Sequence, residues 1–370
     1  MHIALDARLA YYRRYSGIGQ YIVQLAERLP PLAAPHPFTV IHSRKDRQPP
    51  RGPGARLAAS WTPSHHRFEQ LALPLELARL RIDLLHSPDF IPPRRGAYRR
   101  VITVHDLNFL YYPHFLTADS RRYYNDQIGR AVTQADHISA DSHATKLDLI
   151  KLLNVPAGKI SVVWLAPSDL YRPMEAAALD EARRRLRLPD QFILFVGTLE
   201  PRKNVAGLLR AYRRLLERGE RRADLVLAGS RGWLFDETRA LIDQLRLTDR
   251  VRWIDSPTDR ELAALYNLAA VFVLPSHYEG FGLTLLEAMA CGAPAVISDR
   301  GSLPEIAGGA SIVIDPDDPA QLVEALQRIL GDAATADELR AKGFERVTAF
   351  SWERCARETL AIYERVMRNE

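Results

Sequence analysis

The sequence predicts an α/β protein made of two doubly wound halves, each a parallel sheet flanked by helices. Three observations predict it. Short β-rich apolar runs alternate with helix-length amphipathic stretches along the chain, the pattern of strands joined by crossover helices. At 370 residues the chain is longer than one hydrophobic core usually sustains. Residues 166–190, APSDLYRPMEAAALDEARRRLRLPD, carry prolines at both ends and no strand pattern, which marks a linker and entry helix between two sets of strands.

In chain order, HIALDA, FTVIHS, IDLLHS, VITVHD, HISADS and ISVVW supply the strands of the first half. FILFVGT, DLVLAG, VRWID, VFVLP, APAVIS and ASIVID supply those of the second. A first domain is expected over 1–170 and a second over 171–350, with a terminal helix in 351–370 packing back on the first. Two such halves would leave a cleft between the carboxyl ends of their strands, the usual place for a ligand in doubly wound sheets.

With 47% hydrophobic and 26% charged residues the composition is globular, not disordered. The apolar runs are too short to cross a bilayer. A strand beginning at residue 2 leaves no room for a signal peptide, so the expected location is the cytoplasm. Cys291 and Cys355 lack the spacing of a disulfide framework or zinc site and read as packing residues.

Charge is uneven. Residues 1–170 hold 22 Lys+Arg against 14 Asp+Glu, a formal balance of +8, whereas the remaining residues balance at −3. The first half should attract an anion. Arg13/Arg14, Arg94/Arg95, Arg99/Arg100 and Arg121/Arg122 lie beside Tyr11, Tyr12, Tyr98, Tyr123 and Tyr124. That mixture suits phosphates or a membrane interface, and equally an ordinary solvated surface rich in arginine. No helix-turn-helix, ribonucleoprotein or zinc pattern accompanies it, so nucleic acid is not expected as a partner.

Two nucleotide signals are absent: a G-x-x-x-x-G-K-[ST] loop and a G-x-G-x-x-G after the first strand. In SGIGQYIVQLAERL, Gly17 and Gly19 instead open a helix directly. They would let backbone approach a phosphate there, or simply relieve a tight turn. In VGTLEPRKN, Arg202 and Lys203 sit on a loop at a strand's carboxyl end, where a helix begins and an anion would be stabilised. In YEGFGLTLLEAMACGAP, Glu279 and Glu287 lie on either side of a glycine-bearing turn. Taken alone that is a capped surface helix; with Arg202 and Lys203 on the same sheet it suggests a ligand site. DPDD at 315–318 contains a D-x-D, but Asp318 is a natural N-cap with Pro319 as first helical residue, so no metal site is expected there. His65 and His66 lack the ligand spacing of one as well.

VGTLEPRKN, VLAGSRGW, PSHYEGFGLTLLEAMACGAPAV, GSLPEIAGGA, VIDPDDPAQL and FSWERCARETLAIYERV, with SGIGQY and TVHDL earlier, resemble the retaining glycosyltransferases of family four, which have the GT-B fold of two Rossmann-like domains. The match runs in order over essentially the whole chain and is most specific in residues 275–305. The GTLEPRKN wording is similar to bacterial mannosyltransferases of O-antigen and exopolysaccharide synthesis.

The resemblance implies roles. Donor diphosphate would rest on backbone at Phe281, Gly282 and Leu283, with Gly17, Gly19 and Gly229 also lining the donor site. Glu279 would accept hydrogen bonds from hydroxyls of the transferred sugar, Glu287 would hold the ribose, and Lys203 and Arg202 would neutralise the leaving phosphate. His105, at the end of VITVHD, would reach donor sugar and acceptor. Many relatives carry arginine where this chain has Thr198, and Arg202 is expected to take over that charge. The implied reaction moves a hexose, mannose from GDP-mannose or another hexose from a UDP-sugar, onto a glycan or lipid-diphosphate-linked acceptor. It does so by a front-side path, with no cofactor and no metal, and with weak attachment to the anionic inner face of the plasma membrane. A nucleotide-sugar 2-epimerase of the same fold and a non-catalytic sugar-nucleotide-binding protein are the alternatives.

Overall fold

The computed structural model describes the chain except residues 14–16, 67, 114–117, 221, 233–234 and 369–370, and the side chains of 13 and 118–123 within helices. The doublets Arg13/Arg14 and Arg121/Arg122, with Tyr123, therefore lie outside the described residues and side chains. The chain divides into two compact units, Met1–Leu165 with Ser351–Glu370, and Ala166–Phe350.

Among the described residues the first unit holds a parallel sheet of β1 (Ile3–Asp6), β2 (Phe38–Ser43), β3 (Ala55–Ser60), β4 (Leu84–Ser87), β5 (Arg99–Val104), β6 (His137–Ala140) and β7 (Ile160–Val162). Its spatial order is β3-β2-β1-β4-β5-β6-β7. Central strand β4 is buried along its length, its polar His86 and Ser87 included. The edge strand β3, ARLAAS, is not among the strands expected from sequence. It is largely exposed, and an edge that packs on one side only has no need of an apolar run.

The second unit's sheet runs β10-β9-β8-β11-β12-β13, again all parallel, built from β8 (Phe192–Val196), β9 (Asp224–Gly229), β10 (Val251–Asp255), β11 (Val271–Leu274), β12 (Ala295–Ser298) and β13 (Ile312–Ile314). Helix Val205–Glu217 buries Val205, Leu208, Leu209, Tyr212 and Leu215, one helical face, against Ile193, Phe195, Leu225 and Val271 of the sheet. Helix Pro319–Gly331 begins as the sequence predicts: Asp318 accepts from the Ala320 amide at 2.9 Å and Pro319 is the first helical residue.

The chain then returns to the first unit. Helix Trp352–Arg368 buries Trp352, Cys355, Ala356, Thr359, Ile362 and Tyr363. It is tied to helix Gly17–Leu32 by Arg28 to Glu353 at 3.0 Å and by the rings of Tyr21 and Trp352 at 6.4 Å. Cys291 and Cys355 are both buried free thiols.

Candidate active site

In the second sheet the strand order reverses between β8 and β11, and a doubly wound sheet offers a ligand site at the carboxyl ends of the strands flanking such a switch. Arg202 and Lys203 follow β8 in the short turn Pro201–Lys203; Glu279 follows β11. The structure brings these three together. Glu279 Oε1 accepts from Lys203 Nζ at 2.6 Å and Oε2 from Arg202 Nη1 at 2.8 Å. Arg202 extends the cluster, donating to the Tyr278 carbonyl at 2.7 Å and to Glu200 at 2.6 Å. Burial alone would push the Glu279 carboxyl up, but Arg202 and Lys203 outweigh it and hold it at about 2. Two cations therefore face two carboxylates. Arg202 and Lys203 are thus paired with carboxylates in the structure, an arrangement that favours the ionised form of Glu279.

The turn beside it is set by Gly282, whose φ of 95° lies in the left-handed region and where a Cβ would meet Leu303 Cδ2 at 2.8 Å. Helix Leu283–Ala290 starts there without a side-chain cap. Among the described residues the amides of Phe281, Gly282, Leu283 and Thr284 have no hydrogen-bond partner, which leaves a row of donors at the positive end of the helix. The Phe281 ring is buried edge-on against Phe350 at 6.1 Å, so only its backbone is presented.

Glu287 lies on the same helix in different surroundings. Its Oε2 accepts from Tyr266 at 3.0 Å, and Tyr266 is fully buried on helix Asp259–Leu268 against the edge of Tyr171. Burial pushes the Glu287 carboxyl up, the Tyr266 hydroxyl opposes it and Asp259 adds to it, leaving it at about 7. Gly229, at the end of β9 with φ 140°, packs so closely on β8 that a Cβ would meet the Gly197 carbonyl oxygen at 2.3 Å. Beside it, Thr198 and Ser230 join their hydroxyls at 3.0 Å, holding the two loops together where relatives would carry arginine.

In the first unit, β5 ends at Val104, and its register with β6 sets Val104 opposite Ala140, so His105 and Asp141 are the next pair along. His105 Nδ1 meets Asp141 Oδ2 at 2.7 Å and Nε2 meets the Pro88 carbonyl at 2.8 Å. Both partners accept only, so both ring nitrogens carry protons. Burial pushes this imidazole down, but Asp141 reverses the sign and, with Asp89 and the Pro88 carbonyl, holds it at about 9. The ring packs edge-on against Tyr21 at 5.2 Å. Tyr21 belongs to helix Gly17–Leu32, so Gly17 and Gly19 open the element that positions His105. Below them Thr103 bridges the Tyr21 hydroxyl and His86, each at 2.8 Å, and His86 reaches Tyr363 of the terminal helix at 2.6 Å.

Elsewhere, Asp315 and Asp317 both take Arg300, at 2.8 and 3.2 Å, and no group of three or more potential metal ligands occurs among the described residues. His65 Nε2 meets Asp89 Oδ2 at 2.5 Å, and its amide donates to Glu69 at 3.0 Å. Arg94, Arg95 and Arg99 are exposed; Arg99 pairs with Asp136 at 2.9 Å, and Arg100 donates to the Gly96 carbonyl. Sequence reasoning missed Asp141, Tyr266 and Glu200. Asp141 could have been found, because it sits at the end of the strand beside the histidine's own; Tyr266 and Glu200 carry no such signal.

Comparison with known proteins agrees with this architecture. Residues 179–346 match the family described as glycosyl transferases group 1, and residues 15–165 match glycosyltransferase family 4. The chain belongs to these family-four glycosyltransferases of GT-B fold. The O-antigen chain mannosyltransferase B of Escherichia coli is 36% identical over 282 residues, spanning 76% of this chain and 74% of that one. A serotype-specific mannosyltransferase of the same organism is 30% identical over 81% of this chain, which spans only 39% of that longer protein. A sucrose-phosphate synthase structure from Thermosynechococcus elongatus superposes with a TM-score of 0.81 at 25% identity, covering 100% of both chains.

Proposed function

We propose that this glycosyltransferase moves mannose from GDP-mannose to a glycan or a lipid-diphosphate-linked oligosaccharide, with retention at the anomeric carbon and without a metal. The observation that carries the reading is the Arg202–Lys203–Glu279 cluster beside the open amides of Phe281 to Thr284. The amides and Lys203 suit a diphosphate, and Arg202 adds charge where Thr198 supplies none. Glu279, ionised with lone pairs to spare, suits the hydroxyls of the sugar. Glu287 suits the ribose. Gly229 lets the loops after β8 and β9 close together. From the first unit, His105, Gly17 and Gly19 are assigned to the reacting sugar and its phosphates by family resemblance. The two mannosyltransferase relatives support the choice of sugar, with a UDP-sugar as the alternative donor.

In this scheme the bond from C1 to the diphosphate oxygen breaks and its electron pair goes to the phosphate. The acceptor oxygen bonds C1 on the same face, and its proton passes to the departing phosphate oxygen. Lys203, Arg202 and the helix amides stabilise the developing charge, a preorganised contribution. His105, with both ring N–H groups committed to Asp141 and the Pro88 carbonyl, cannot take that proton; it acts as a fixed positive charge.

Incubating the protein with GDP-mannose and UDP-hexoses, with and without lipid-linked acceptor, tests the reading. The expected result is acceptor-dependent mannosylation, an α-linked product by NMR, and a rate unchanged by EDTA. Interconversion of the donor without acceptor would point to the epimerase, and loss on chelation restored by manganese or magnesium would return the metal reading.

A further inference from the structure

We propose that helix Glu69–Leu77, together with Trp61, is the surface by which the first unit docks on anionic lipid. The inference deepens the reading of a membrane-borne acceptor. It rests on a helix that is apolar on both faces. Leu73 and Leu77 point inward, 1% and 3% exposed, packing with Ala4, Ile41, Ile82 and Leu85. One helical turn apart on the outer side, Leu71 and Leu75 are 70% and 74% exposed, and Phe68, one turn before Leu71, is 52% exposed. A helix apolar all round is ordinarily covered on both faces, and here the outer face meets solvent. Trp61, 69% exposed, is fixed beside the same helix, because the Glu76 carboxylate accepts from the amides of Trp61 and Thr62 at 2.9 and 3.0 Å.

Charge complementarity selects the occupant. Residues 44–81 contain eight Lys+Arg against three Asp+Glu. Of the three acids, Glu69 is turned inward onto Arg8 at 2.5 Å and Glu76 is held by residues 60–62, so the outward charge is overwhelmingly basic. Arg44, which stacks over the Trp61 ring at 3.9 Å, and Arg56, Arg79 and Arg81 are all exposed. Exposed leucine and aromatic side chains, with Arg44 over Trp61 and further exposed arginines in the same stretch of chain, suit insertion at the acyl boundary with the cations left among anionic headgroups. A second copy of this chain would bring the same arginines against these, so self-pairing is disfavoured. No helix among the described residues is long and apolar enough to cross a membrane, so attachment would lie in the surface plane. The docking surface thus falls on this helix and not on the arginine doublet at 99–100, whose cations are engaged within the unit.

Cosedimentation of the full chain with phosphatidylcholine vesicles, with and without about one-third phosphatidylglycerol, tests the proposal. It is run without donor or acceptor, so that failure here and failure of the transfer assay are separate results. The expected outcome is salt-sensitive binding to the anionic vesicles alone, reduced about tenfold or more in the double variant Leu71→Glu, Leu75→Glu and less in Trp61→Ala. GDP affinity and thermal midpoint should be unchanged in both, which shows that the fold is intact. Charge reversal at Arg99 and Arg100 should leave binding near the wild-type value. The proposal is overturned if the unmodified chain stays in the supernatant. It is also overturned if the double variant sediments fully, or if that variant dissociates a dimer in light scattering without losing vesicle binding.

Discussion

Glu279 and Glu287 belong to one short motif, yet their surroundings drive the two carboxyls in opposite directions. Around Glu279 two strand-end cations converge and its carboxyl falls to about 2; around Glu287 the neighbours are Tyr266, Tyr171 and the more distant charge of Asp259, and its carboxyl rises to about 7. The same residue type is thus favoured as an anion at one end of the motif and pushed toward its protonated form at the other. A motif's letters specify position; the neighbouring strand ends and helices specify protonation.

The largest effect expected from breaking this contrast is at Glu279. Glu279→Ala should lower turnover about 100-fold, and should cost about 3 kcal/mol of stability because buried Lys203 loses its counterion. Steady-state kinetics and urea unfolding check both; unchanged stability would mean that Lys203 finds another partner. Next, Lys203→Ala should reduce kcat about tenfold more than Arg202→Ala, since Lys203 is the more deeply buried cation. The reverse order would show that Arg202 has assumed the charge absent at Thr198.

Glu287 sharpens the comparison through pH. If Glu287 holds the ribose as proposed, the hydroxyls donate to the charged carboxylate and a nucleotide binds the deprotonated form, so GDP affinity should fall about tenfold by calorimetry between pH 8 and pH 6. Glu287→Gln should flatten that profile. In the unliganded protein the two groups act on stability with opposite sign. Native Glu287 keeps its proton from the ordinary 4.5 up to about 7, so its contribution is full below 4.5 and is lost as pH rises to 7. Glu279 contributes above 4.5 and loses that contribution as pH falls toward 2. Thermal midpoints of the wild type and Glu287→Gln over that range separate the two. The smallest effect is expected for Tyr266→Phe: about 1 kcal/mol of stability from one hydrogen bond, and a midpoint for GDP binding displaced upward, because the hydroxyl that favours the charged carboxylate is gone.

Much of this arrangement was legible in the sequence, for reasons that differ by element. Buried parallel strands announce themselves as apolar runs, and Asp318-Pro319 announces a helix start. Arg202, Lys203 and Glu279 could be named as site residues, but not as an ion cluster, since that depends on β8 and β11 being neighbours. Edge strand β3 was illegible because it buries too little. In FEQLALPLELARL the leucines read as core on any face; which of them remain in solvent depends on what packs over the helix, and local pattern does not contain that. His105 was visible at a strand end, whereas its charge state needed Asp141 from the next strand and Pro88 from the loop after β4.

The return of helix Trp352–Arg368 to the first unit has a consequence for the order in which the protein is made. Residues 166–350 are contiguous, so the second unit can fold as soon as it leaves the ribosome. The first unit cannot finish then: Trp352 beside Tyr21, and Tyr363 beneath His86, are synthesised after the whole of the second unit. The half that begins first is completed last, and until residue 363 has emerged the network under His105 lacks its lowest member. Nascent chains stalled just beyond residue 350 should therefore protect the second unit from protease while leaving the first open to cleavage.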